Sequence, residues 1–243
     1  MPGENTSETH PPGYQPHIGA SRQYMRDIML GVNDGLVSTF LLVSAVVGGG
    51  MDATDVLLTA IAGAIAGMIS MAVGEYIATK SQEEVFEAEL ALERQHLKYH
   101  RQHEKDQLRD MLADVGLVGE DLEHVVEIIN ADDDAMLNMH AALEFGIVDT
   151  ARRNPIAAAV FSGLMFLGGA LPSVIPFAFV DSTGTGLLIA GILSGIGLLT
   201  VGAVKTLQTG KPPVRSALEN FVLGMAGGVL AYVVGKAFDQ LIN

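Results

Sequence analysis

Cysteine and tryptophan are absent from this 243-residue chain, and bases are scarce: 14 Lys and Arg stand against 28 Asp and Glu, a formal charge of −14. Without cysteine there is no disulfide scaffold, no thiolate zinc site and no thiol nucleophile. Without a basic surplus there is no electrostatic footprint for nucleic acid, which is excluded as a partner. Charged residues of either sign make up only 17% of the chain, 49% is apolar, and the mean hydropathy is +0.35. Such apolarity excludes ordinary disorder. An apolar chain has little use for a twofold excess of acids, so where they stand is the first question.

They are concentrated. Residues 80–153 hold 18 of the acids against eight bases, and five of the seven histidines. The remainder runs in long apolar stretches. Five of these, about 28–50, 56–79, 156–180, 187–204 and 217–238, reach the roughly 20 residues of a bilayer-spanning helix. The first lies behind a polar tail and is too long for a signal-peptide core. The expected fold is an all-α membrane protein: a disordered tail (1–25), transmembrane helices 1 and 2 (26–79), a cytoplasmic three-helix metal-binding insert (80–153), and transmembrane helices 3–5 (154–243). Bases set the orientation. Arg22, Arg26, Lys80, Arg152, Arg153, Lys205, Lys211 and Arg215 fall on one side, which puts the N-terminus and the insert in the cytoplasm; Asp52, Asp55 and Asp181 fall on the other.

Helix-end signals support these bounds. Asn154-Pro155 reads as an N-cap with proline at the first helical position, and Ser216-Ala-Leu-Glu219 reads as a capping box that accounts for Glu219. Pro172 and Pro176 are expected to kink or end span three. Gly31/Gly35, Gly63/Gly67, Gly191/Gly195 and Gly224/Gly228 repeat at the spacing that lets membrane helices approach closely, either within one chain or between two copies.

Two acids fall inside spans, where acids are costly and usually functional. Asp34 lies in Gly31-Val-Asn-Asp-Gly-Leu-Val-Ser38, and Glu75 closes Ser70-Met-Ala-Val-Gly-Glu75. Met68, Met71 and Glu75 step by three and four and share a helix face. A thioether beside carboxylates suits a borderline ion such as Fe²⁺ better than Mg²⁺ or Ca²⁺. The alternatives are ordinary: Met71 as filler, Glu75 reaching water, Asp34 hydrogen-bonded to Asn33 or Ser38.

In the insert, the lack of Gly and Pro between Glu75 and Val115 allows span two to run on as one helix up to Gly116, or to break. Helices are expected at about 119–129 and 134–150. Glu89, Glu93, His96, His100 and His103 form one stripe, with Glu104 at its edge; Met136, His140 and Glu144 form another. Carboxylates and imidazoles on one face are what a divalent transition-metal site needs; a solvated acidic face is the alternative, and it is the reading preferred for His124. Glu93-Arg-Gln-His96 is a single Glu-x-x-His step, where a di-iron bundle needs two.

On the motifs around Asp34 and Glu75, on Ser81-Gln82 and on Asn154-Pro155, the chain resembles the vacuolar iron transporter family from about Arg26 onward. The resemblance implies a five-span homodimer that exports Fe²⁺, often with Mn²⁺, from the cytoplasm in exchange for protons. Asp34 and Met71 then match residues of the translocation path at the dimer interface, and Glu75 the glutamate of its motif. Glu93, Glu104 and Glu144 match expected insert glutamates, whereas His96, His100, His103 and His140 replace Glu or Met, which implies tolerance of Zn²⁺, Ni²⁺ or Co²⁺ and sensitivity to pH. A cell membrane is expected in a prokaryote and a vacuolar membrane in a eukaryote. The competing readings are a membrane-tethered metal sensor or buffer, and a ferritin-like ferroxidase, neither of which requires an acid inside the bilayer.

Overall fold

A computed structural model describes residues 21–146, 153–206 and 212–242. Among the described residues there are eight α-helices: α1 (Ser21–Gly48), α2 (Ala53–Tyr99), α3 (Arg101–Val115), α4 (Gly119–Asn130), α5 (Asp133–Leu143), α6 (Pro155–Val174), α7 (Thr183–Val204) and α8 (Pro213–Ile242). A 3₁₀ turn, Ile175–Ala178, extends α6. Helices α1, α2, α6, α7 and α8 are each long and apolar enough to cross a membrane, and the short helices α3–α5 lie between the second and third of them. Of the expected tail, residues 1–20 lie outside the described residues, and α1 already begins at Ser21. Arg152 and Lys211 also lie outside them.

Helix α1 is the centre of the apolar body and packs against α6, α8, α7 and α2. Its contacts depend on absent side chains. A Cβ on Gly35 would come 2.0 Å from the carbonyl oxygen of Phe166, and one on Gly169 would come 2.2 Å from that of Val32, so α1 and α6 touch backbone to backbone. Gly48 and Gly235 do the same for α1 and α8. All four glycine pairs of the sequence pack within the chain: Gly31 and Gly35 on α6, Gly63 on Leu42, Gly67 on Phe166, Gly191 and Gly228 on Phe40, Gly195 on Phe221, and Gly224 on Leu198. Between membrane helices, where lipid is as apolar as leucine, such close van der Waals packing is the main source of cohesion.

Several ends are as expected. The Asn154 side chain accepts from the amides of Ile156 and Ala157, and Gly116 ends α3 at φ 115°. Asp132 caps α5 through the amide of Ala135. Pro176 sits in the 3₁₀ turn, whereas Pro172 is accommodated inside α6. The capping box does not form: α8 starts three residues earlier, at Pro213, because proline suits the first helical turn. Glu219 is simply exposed.

Helix α2 does not continue to Gly116. It runs 47 residues, roughly 70 Å, and stops at Tyr99. His100, at φ −133° and ψ 30°, is the corner from which α3 folds back. No glycine or proline causes this break. It brings Leu90 and Leu97 of α2 against Leu108 and Leu112 of α3, Val126 and Ile129 of α4, and Met136, Leu137 and Ala141 of α5, in a core that an unbroken helix would leave wet. Tertiary burial overrides local propensity here. Helix α5 ends at Leu143, with Gly146 at φ 66° just beyond; the expected stretch 147–150 lies outside the described residues.

Gly35→Ala is expected to force α1 and α6 apart and to destabilise the protein by about 1–3 kcal/mol or more, the usual penalty of overpacking. Gly168→Ala, where nothing lies within 4 Å of the added methyl, is expected to leave stability unchanged or slightly raised. Thermal unfolding of the two variants in detergent measures the difference.

Candidate metal centre and membrane groove

The corner at His100 decides the geometry of the insert. Had the helix run on, Glu104 would lie about three turns along from Glu93. Folded back, it reaches the same point. His96 Nδ1 is 3.7 Å from Glu93 Oε2 and 3.6 Å from Glu104 Oε1. On the other side His140 Nδ1, from α5, is 3.3 Å from Glu93 Oε1, 3.8 Å from Glu104 Oε2 and 3.7 Å from Glu144 Oε2. Two sets of three ligand atoms, Glu93/His96/Glu104 and Glu93/His140/Glu144, each fall within 4.8 Å, and Glu93 belongs to both.

The centre of the cluster is buried, with His96 half-buried and Glu144 exposed at its edge. His140 is 0% exposed, and Glu93 and Glu104 are each 2% exposed. Neither ring nitrogen of His140 has a hydrogen-bond partner, nor does Glu93 Oε1. Buried polar groups are nearly always satisfied, so this set is arranged for something further. Burial pushes the Glu93 carboxyl above the usual glutamate range; Glu104 and Glu144 push the same way, while His140 and His96 oppose them. Carboxylate oxygen with imidazole nitrogen is a donor set for Fe²⁺, Mn²⁺, Zn²⁺ or Co²⁺. The other predicted ligands are peripheral. Glu89, His100 and His103 line the mouth of a cavity of about 310 Å³ above the cluster, the two histidines exposed and Glu89 half-buried. Met136, expected on the His140 stripe, is buried in the apolar core instead.

One arrangement escaped the sequence reading. Arg101, Lys105 and Arg109 step by four along α3 and all bind acids of other helices or of their own: Arg101 binds Asp133, Lys105 binds Glu127 at 2.5 Å, and Arg109 binds Glu123 and Asp106 at 2.8 and 2.6 Å. The hydrogen bond from Lys105 holds the Glu127 carboxyl below the usual range. Bases thus occupy the outer face of α3, and Glu104 is left on the inner one. The four-residue period of those bases was a visible signal.

Within the membrane body, Asp34, Met71 and Glu75 line one groove of about 490 Å³ between α1 and α2, with Phe166 of α6 at its floor. Met68 does not join them: its side chain packs on Gly163 of α6. At 1.5 Å per residue, Glu75, Met71 and Asp34 lie roughly 33, 27 and 21 Å from the α1–α2 turn, about one helical turn apart, with Asp34 well inside a hydrocarbon layer about 30 Å thick. The partners that would neutralise Asp34 are engaged elsewhere. Asn33 Oδ1 accepts from Asn220 at 2.8 Å, and Ser38 donates to the Asp34 backbone carbonyl at 2.6 Å. The Asp34 carboxylate has no hydrogen-bonding partner among the described residues. Glu75 does not simply reach water: Thr79 donates to it at 3.3 Å and Arg153 at 3.4 Å. Arg153 also binds Asp27, a buried acid of α1 that sequence reasoning missed. Its position immediately before the apolar run hid it among the flanking charges.

The family model described as the VIT family matches residues 25–236. Vacuolar iron transporter 2 of Oryza sativa subsp. japonica is 28% identical over 219 residues, covering 90% of this chain and 89% of that protein. Vacuolar iron transporter 1 of Arabidopsis thaliana is 26% identical over 219 residues, with 90% and 87% covered. Protein CCC1 of Saccharomyces cerevisiae is 25% identical over 234 residues, with 94% and 72% covered.

A raised Glu93 pKa means that the folded, metal-free protein holds this proton more tightly than the unfolded chain does. Its stability is therefore expected to fall as pH rises from about 4.5, the ordinary glutamate value, through the raised one, and Co²⁺ is expected to restore it. Melting curves of the full chain in detergent, with chelator or with Co²⁺, measure this. Glu93→Gln is expected to remove the pH-dependent loss and to weaken Co²⁺ binding by roughly 10–100-fold, since both ligand sets share Glu93.

Proposed function

Since this chain belongs to the VIT family, we propose that it exports Fe²⁺, and Mn²⁺ with it, from the cytoplasm in exchange for protons, and that it works as a homodimer. The observation that carries this reading is Asp34. An acid with no partner, well inside a span and in one groove with Met71 and Glu75, has no structural use and is expensive to keep. Its use is to hold alternately a cation and a proton. Asp34 is the central ligand and proton carrier, Met71 the soft ligand, and Glu75 the entry-side ligand.

The groove opens outward from the monomer, and Asp34 is exposed there. Hydrocarbon does not solvate a carboxylate, so a second copy seated on this face supports the reading by closing the groove into a path. The insert acts upstream. Glu93, Glu104, Glu144, His96 and His140 collect the ion from the cytoplasm, and Glu89, His100 and His103 admit it. Imidazole in place of a purely carboxylate set extends the range to Zn²⁺ and Co²⁺. The insert faces the cytoplasm because the bases flanking the spans gather on that side.

Reconstitution in proteoliposomes, with an inward Fe²⁺ gradient and a pH dye inside, tests this. Metal uptake with proton counter-flow is expected, and Asp34→Ala is expected to abolish both. Uptake without proton movement removes the antiport, and normal uptake by Asp34→Ala removes the site.

A further inference from the structure

Arg153 stands at the end of the acidic insert, immediately before the Asn154-Pro155 start of α6. Its side chain is only 10% exposed. It joins two helices, binding Asp27 of α1 with one nitrogen and lying 3.4 Å from Glu75 Oε1 of α2 with another. Both acids are withdrawn from water, the Asp27 side chain 1% and the Glu75 side chain 15% exposed. Thr79 donates to the same Glu75 oxygen. Arg26 lies 3.6 Å from Asp27, but its own side chain is 70% exposed and solvated. Inside the cluster, then, two carboxylates share one guanidinium.

Glu75 has two neighbourhoods. On one side is the groove that holds Met71 and Asp34; on the other is Arg153. A guanidinium is never deprotonated in a protein, so it cannot yield its place by losing a proton and can only move. The formal charge decides what can replace it. Asp27, Glu75 and Arg153 taken together carry −1, Arg26 lying outside them in solvent. A monovalent ion substituting for the guanidinium leaves −1 and gains nothing electrostatically. A divalent ion brings the cluster to neutrality.

We propose that Arg153 is a tethered cation at the cytoplasmic mouth of the groove, which neutralises Glu75 until a divalent ion displaces it and which thereby excludes monovalent ions. It is a positioning and selectivity residue, and it rests on the reading of Glu75 as the entry-side ligand. The transfer from insert to groove then involves an exchange of cations on one carboxylate, with the charge of the incoming ion as the criterion.

The test is Fe²⁺ uptake by proteoliposomes holding the full chain, kept anaerobic, with and without added potassium salt. Arg153→Gln keeps the size and removes the charge. Its KM for Fe²⁺ is expected to fall on the order of tenfold at low salt, and potassium is expected to raise that KM far more than in the parent protein. A purely structural arginine gives the opposite pattern: a lower maximal rate with KM unchanged or raised, and that result overturns the proposal. If Arg153→Gln fails to insert, Arg153→Lys decides. Lysine keeps the charge but not the planar fork that spans both acids, so KM falls by a smaller factor; no fall overturns the proposal. Glu75→Gln separates the two levels. Unchanged KM in Glu75→Gln overturns the entry-ligand reading and this inference together. Impaired uptake in Glu75→Gln with unchanged KM in Arg153→Gln overturns this inference alone.

Discussion

A carboxylate taken out of water needs a cation, a proton or a set of hydrogen bonds, and nearly every distinctive feature of this chain follows from where that need is met by protein and where it is left open. Exposed acids such as Asp52, Asp132 and those on the outer face of α3 stay in water and are also bound by backbone amides or by Lys and Arg. The need is met at Asp27 and Glu75 by a shared arginine, Arg153, with Arg26 beside Asp27 and Thr79 beside Glu75. It is left open at Asp34, and at Glu93 and Glu104, whose near neighbours are imidazoles and other acids. The open places are the two candidate cation sites.

This sorting explains how a charge of −14 coexists with an apolar body. The insert does not bind cations by being acidic everywhere. Its bases line up on one face of α3 and draw Glu127 and Glu123 into the fastening of α3 to α4, and Asp133 into that of α3 to α5. The inner face is thereby stripped of bases, and the apolar core beneath it excludes water from Glu93 and His140. In the membrane body the same end is reached by geometry. Glycines bring α1 against α6 and α8 at backbone distance, and α1 meets α2 more loosely, which leaves the groove beside Asp34.

Much of this was legible in the sequence. Five apolar runs, the cap at Asn154 and the stop at Gly116 are local signals, and each is where the residues placed it. The stripes were only partly legible. Their period correctly grouped Glu93 with His96, but it assumed a straight axis, so His100 and His103 were set beside them as equals when the corner turns both toward solvent. Met136 satisfied the period of His140 and Glu144 and still faces the core, because on a short amphipathic helix one turn contributes to both surfaces. The capping box at Ser216 failed for the reverse reason: a stronger starter, Pro213, lay just upstream.

By itself, the sequence determined what depends on neighbours along the chain: the spans, the location of the acids, and the presence of an acid within a span. Those properties follow from length, polarity and local hydrogen bonding, which operate over a few residues. Tertiary structure alone decided the break at His100, the meeting of Glu93, Glu104 and His140, and the capture of Glu75 and Asp27 by Arg153, which stands 78 residues beyond one and 126 beyond the other. Such contacts arise because burying the insert's leucines and closing helices over glycine release more free energy than continuing a helix, and no local pattern records that balance.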